Sequence, residues 1–223
     1  APTLDPYRDL FRLLPMGRSL FNSLFVATTV TLSNMLFCSL AGYAFAKLRF
    51  PGRDALFLMF ICSMMIPWQV NLIPGFVIIQ KLGWLNTFQA LIIPNLAGAF
   101  GIFLCRQFIM SIPNDVIEAA RIDGCSELGI YRHVIVPLMT PALATLAIFT
   151  FLAQWNSFVW PLVVIHTGSM RPVSLMIAVL NGQFGANFAM VMAGAVVVTL
   201  PMILIFLAFQ RQFIKGVVLT TMR

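Results

Sequence analysis

Long uncharged stretches alternate with short polar ones along this chain, and their lengths carry the first inference. A helix rises about 1.5 Å per residue, so crossing the roughly 30 Å hydrocarbon layer of a bilayer takes about 20 apolar residues. Five stretches reach that length: residues 19–46, 55–80, 84–105, 138–164 and 186–210. Each predicts a membrane-crossing helix, although Asn95 and several glycines dilute the third. The expected fold class is all-α, a polytopic membrane protein with five transmembrane helices in one domain over residues 1–223.

The polar segment 111–136 has its own pattern. SIPNDVIEAARIDG places Pro113 near a helix start and Asp115 three residues before Glu118, the spacing of a capping box. A helix of about two turns is expected over Asp115–Asp123. Gly124 is its expected stop, since glycine accepts the left-handed conformation at a helix C-terminus. Ser126 then opens a second short helix, SELGIYRHVIV, ended by Pro137. The N-terminal APTLDPYRDLFRLLPMGRS is amphipathic, with Leu10, Phe11, Leu13 and Leu14 as its apolar side.

Composition agrees with a lipid environment. The chain is 60% hydrophobic and 9% charged, against about 25% charge in a soluble domain. The net charge of +7 comes from Lys and Arg scattered singly, which fits helix flanks and excludes a nucleic-acid-binding run. The flanks orient the chain. One side holds Arg8, Arg12, Arg18, Lys81 and Arg171; the other holds Lys47, Arg49, Arg53, Arg106, Arg121, Arg132, Arg211, Lys215 and Arg223. The second, more cationic side is expected to be cytoplasmic, with the 111–136 loop and the C-terminus. The N-terminal segment is then external without a signal pattern, so a preceding helix, six in all, is expected in the natural protein.

Candidate chemistry is sparse. Cys38, Cys62, Cys105 and Cys125 form no C-x-x-C pair, and His133 and His166 stand far apart, so no metal site is expected. None of the seven acidic residues falls in a predicted span. Ion-coupled carriers commonly place ionisable groups at membrane depth, and there is no phosphate-binding G-x-x-x-x-G-K-[ST] loop. Uphill transport would therefore draw its energy from another subunit. The spans do carry amides and prolines: Gln69 and Asn71 between Pro67 and Pro74, Asn95 after Pro94, and Gln154, Trp155 and Asn156 before Pro161. Such groups either bind helices together or line a path for a polar, uncharged solute. In the loop no nucleophile–base pair is visible. Ala119 and Ala120 offer a flat surface, with Glu118, Arg121 and Asp123 around it, suited to docking a protein or merely joining two spans.

The stretch EAARIDGCSELGIYRHVIVP resembles the EAA motif of permease subunits of bacterial ATP-binding-cassette (ABC) importers: Glu118, Ala119, Ala120, Asp123, Gly124 and Pro137 match, and Cys125 replaces the usual alanine. GYAFAKLRFPGRD, MMIPWQVNLIPGF, GIFLCRQFIMSIP and PALATLAIFTFLAQWNSFVWPL resemble the maltose and glycerol-3-phosphate branch of the same family. The resemblance implies a bacterial inner-membrane permease forming half of a sugar pathway. Its implied partners are two cytoplasmic ATPase subunits, which bind the ATP and Mg, a second permease, and an extracytoplasmic solute-binding protein. The second permease is a paralogue or another copy. No cofactor is expected on this chain itself. Glu118, Ala119, Ala120, Arg121, Asp123 and Gly124 are implied to couple the permease to the ATPase. The alternatives are a passive or secondary sugar facilitator, a membrane enzyme, and a non-transporting assembly subunit.

Overall fold

A computed structural model describes residues 3–185 and 187–221. Ala1 and Pro2 of the N-terminal segment, Ala186 at the start of the predicted fifth span, and Arg223 of the cationic side lie outside the described residues. Within the described residues there is no strand. The helices are α1 (Asp5–Leu13), α2 (Met16–Lys47), α3 (Arg53–Met64), α4 (Leu72–Lys81), α5 (Phe88–Ile92), α6 (Ala99–Met110), α7 (Asn114–Ile122) and α8 (Glu127–Ile130). They continue with α9 (Val136–Leu138), α10 (Thr140–Trp155), α11 (Val159–Val164), α12 (Val173–Phe184) and α13 (Phe188–Thr221). Among the described residues three stretches, Met16–Lys47, Phe88–Met110 and Phe188–Ile205, are long and apolar enough to cross a membrane. The number is five, as expected from the sequence, if each of two sharply bent helix pairs counts as one span.

Proline explains the first bend. The predicted 55–80 stretch divides into α3 and a second piece, Trp68–Lys81, at 94° to it. Pro67 lacks an N–H and disfavours helical conformation at Ile66 before it, so α3 cannot continue. Pro74 does no such damage, because it sits in the first turn of α4, where N–H groups have no intrahelical partner. The second bend, 78° between Glu127–Leu138 and Thr140–Trp155, corrects one expectation. Pro137 does not end the helix that Ser126 opens; it lies inside α9, and the chain turns at Met139 instead. A wide π-type turn over Tyr131–Ile135 precedes it, loosening the backbone where a proline ring would otherwise meet a carbonyl. The predicted 138–164 stretch is likewise not one helix, being interrupted between α10 and α11. The 12-residue α12 was not expected, being too short to register as a span.

The chain forms two compact units. Of the described residues, one gathers those up to 29, 71–94 and 151–208; the other gathers 30–70, 95–150 and those after 208. In the first, Leu10, Met16, Trp155, Met176, Leu180 and Met190 form the core. Asn86 fixes a loop there, its side-chain oxygen accepting the N–H groups of His166 and Thr167 at 2.6 and 2.9 Å. In the second unit the core is Cys38, Ile102, Cys105, Ile109, Ile117, Ile130, Ile135 and Leu146. Here α2 and α6 cross closely. A Cβ added at Gly42 would lie 2.6 Å from Cys105 Cβ, and one at Gly101 would lie 2.7 Å from Cys38 Sγ. Cys38 faces Gly101 and Gly42 faces Cys105, so the two helices run in the same direction, and their C-terminal ends meet at the 111–136 loop.

Candidate coupling site

In α7, Ile117 and Ala120 turn inward to the core, three residues apart on one face. The opposite face is exposed and carries Asp115, Glu118, Ala119 and Ile122. The two alanines therefore do not share a surface: Ala119 faces outward and Ala120 packs. What the alanine pattern did not signal is the apolar content of the outer face. Ile122 is 86% exposed and Leu128, just past the turn, 69%.

The expected capping box does not form. Pro113 occupies the N-cap and no side chain caps the helix, because α7 begins at Asn114 and takes Asp115 and Glu118 into its interior. Asp115 remains in the first turn, where a carboxylate suits the helix dipole. The C-terminal stop is well formed. Gly124 has φ +82°; its N–H donates to the Arg121 carbonyl and the Cys125 N–H to the Ala120 carbonyl, both at 3.0 Å. This pair of bonds is a Schellman motif, which needs the left-handed conformation at its glycine. Asp123 is the exposed residue before it, its N–H donating to the Ala119 carbonyl. Ser126 then caps α8, accepting the Gly129 N–H at 3.2 Å.

Polar bonds lock this turn. Arg121 Nε donates to Glu127 Oε1 at 2.9 Å and the Tyr43 hydroxyl to Glu127 Oε2 at 2.6 Å. Those two hydrogen bonds, Arg121 first, hold the Glu127 carboxyl below its ordinary value. Lys47 Nζ donates to the Ile112 carbonyl and to Asn114 Oδ1 at 2.6 and 2.7 Å. A groove of about 710 Å³ lies alongside, lined in part by Arg49, Arg53, Glu118, Arg121 and Glu127. Tyr43, Lys47 and Glu127 escaped the sequence reading. The one signal available was that Lys47 ends an uncharged run.

The polar span residues are scattered. Gln69 lies in the exposed turn Trp68–Asn71 and Asn71 at the exposed N-cap of α4. Asn95 is half-buried, its carbonyl accepting Asn34 Nδ2 at 2.7 Å. Gln154 borders a cleft of about 10 Å³ with Ser23, Ser157 and Trp160, far too small for a sugar. Trp155 is buried in the core, stacked on Phe151, its Nε1–H donating to the Val198 carbonyl at 3.3 Å. That is a packing placement. Asn156 is exposed and donates back to the Leu152 carbonyl. Among the described residues no group of His, Cys, Asp and Glu could hold a metal.

A family model described as "Binding-protein-dependent transport system inner membrane component" matches residues 38–218. The chain belongs to this family. It is a permease subunit of an ABC-type importer, a multi-pass membrane protein with a transport role. The arabinooligosaccharides transport system permease protein AraQ of Halalkalibacterium halodurans is 37% identical over 96% of this chain and 77% of its own length. The lactose transport system permease protein LacG of Rhizobium radiobacter is 33% identical over 95% and 78%. The sn-glycerol-3-phosphate transport system permease protein UgpE of Pectobacterium atrosepticum is 33% identical over 92% and 73%. Among solved structures, a bacterial ABC transporter involved in import of the acidic polysaccharide alginate aligns with TM-score 0.83 and 25% identity, over 93% of this chain and 79% of that one. The MetNI methionine ABC transporter shares the fold, with TM-score 0.66 at 19% identity over 90% of this chain and 95% of that one. Nothing in the family or these relatives supports a passive or secondary facilitator.

Proposed function

We propose that this permease subunit imports a sugar or related polyol, and that its α7–Gly124–α8 loop is the joint through which ATP hydrolysis elsewhere drives the cycle. The solute class rests on the saccharides and glycerol phosphate for which the relatives are named, and on the absence of acidic residues from the predicted spans. Two cytoplasmic ATPase subunits, carrying ATP and Mg, a second permease and an extracytoplasmic binding protein complete the machine. The second permease is a paralogue or another copy of this chain. The loop and the C-terminus face the cytoplasm of a bacterial inner membrane. Gln69, Asn71, Asn95, Gln154 and Asn156 are the amides available to line the path; Trp155 belongs to the packing.

The observation that carries the coupling role is the outer face of α7. Helix α7 presents Ala119 and Ile122 to solvent, and Leu128 follows on α8 just past the turn, with the charged and exposed Glu118, Arg121 and Asp123 beside them in the chain. An exposed apolar centre with a charged rim has the anatomy of a protein interface. The test is purification of the tagged full-length chain from its native membrane. The wild type should bring a stoichiometric ATPase and Ile122→Asp should lose it while inserting normally. A wild type that emerges without an ATPase, or an Ile122→Asp chain that keeps its full complement, would defeat the reading.

A further inference from the structure

Three polar side chains stand on one stripe of α2. Ser39, Tyr43 and Lys47 follow one another at four-residue intervals, which stacks them along a single helix face. Each reaches a different part of the loop. Lys47 holds its entrance, through the Ile112 carbonyl and Asn114 Oδ1. Tyr43 holds its middle, through Glu127, which takes Arg121 with its other oxygen and so bridges α7 to α8. Ser39 holds its exit. The Ser39 hydroxyl lies against the Met35 carbonyl and 3.1 Å from the Leu36 carbonyl, and it is hydrogen-bonded to the Tyr131 hydroxyl at 2.7 Å inside the π-type turn. Ser39, Tyr43 and Tyr131 are all buried, and the two tyrosine rings lie 6.0 Å apart.

The covalent exits from the loop are poor conductors of force by comparison. Toward α6 the chain passes through the non-helical Ser111–Pro113; toward α10 it passes through a π-type turn and a 78° bend. Breaks of this kind are where helices hinge. By contrast α2 is an uninterrupted helix of 32 residues. We infer that displacement of the loop enters the membrane part of the protein through α2, with Ser39, Tyr43 and Lys47 as positioning residues that make loop and helix one rigid body. This rests on the coupling role proposed above.

The test uses the complete transporter, purified with its ATPase and second permease, with Cys62 and Cys125 replaced by serine. Nitroxide labels at Leu32→Cys on α2 and Asp115→Cys on α7 report their separation by electron double resonance, without nucleotide and with ATP plus vanadate. The wild type should give one narrow distance that is the same in both states. Tyr43→Phe with Lys47→Met should broaden it and make it nucleotide-dependent, while ATP hydrolysis continues. A wild-type distance that itself shifts with ATP plus vanadate overturns the inference and leaves the coupling role standing. So does a double variant that stays narrow. If the double variant does not assemble, the wild-type pair still decides. Absence of any ATPase from the purified wild type overturns the coupling role and this inference with it.

Discussion

At the level of single residues, Gly124 and Glu127 set the shape of the loop. Nothing lies within 4 Å of a Cβ built at Gly124, so only its positive φ resists substitution. Gly124→Ala should therefore cost about 1–2 kcal/mol of local stability, read as faster hydrogen exchange over 122–126 and no loss of insertion. Gly124→Pro removes the N–H that bonds Arg121 and fixes φ near −65°. It should abolish uptake in a normally inserted chain, as should Asp123→Lys at the neighbouring exposed position; wild-type uptake by either would contradict the coupling role. Glu127 adds a pH dependence. Its carboxyl is held below the ordinary 4.5 in the folded loop, so its contribution is present above that pH and lost as the pH falls through the lower folded value. Hydrogen exchange of the loop should accelerate in acid for the wild type. In Glu127→Gln it should already be faster at neutral pH and change less.

Among the helices, the crossing of α2 and α6 is the least tolerant feature. A side chain at Gly42 meets backbone as well as Cys105: the added Cβ would stand 2.9 Å from the Arg106 nitrogen. Gly42→Leu should cost about 1–3 kcal/mol, and a thermal-shift measurement on the purified chain reads it directly; no shift would mean the helices separate more easily than the contact implies. The sequence made some of this visible. The first uncharged run, read as 19–46, lies inside α2 because nothing in it breaks a helix. The runs read as 55–80 and 138–164 look alike by composition, yet the chain bends in or beside both. Length and hydropathy count residues and cannot see where Pro67 or the turn at Met139 redirects them. In the loop, Gly124 was legible because a helix stop is a local matter. Tyr43 and Lys47 were not, nor was the second partner of Glu127, since these bonds join positions 65 to 84 residues apart. Ala120 was read as surface because two adjacent alanines do not say which faces inward.

For the molecule as a whole, the shared direction of α2 and α6 fixes which ends lie together, and the excess of Lys and Arg on one side then predicts which compartment they face. Cys125 is exposed. In membranes holding this chain without an ATPase, a membrane-impermeant maleimide should label it in inside-out vesicles and spare it in intact cells. A cysteine placed at Thr167, on the opposite side by the same reasoning, should do the reverse. Matching patterns at the two positions would invert or dismantle the proposed topology. The order of synthesis adds a last consequence. Asn34, buried in α2, gives its amide N–H to the Asn95 carbonyl and takes the Gly98 N–H. Those partners emerge from the ribosome 61 residues or more later, roughly 3–12 s at about 5–20 residues per second. For that interval the newborn α2 carries an amide with only its local partners, the Val30 carbonyl and the Cys38 thiol, and without the long-range pair that completes it. A chain stopped before Asn95 should be cleared by membrane proteases, and one stopped after Gly98 should survive longer.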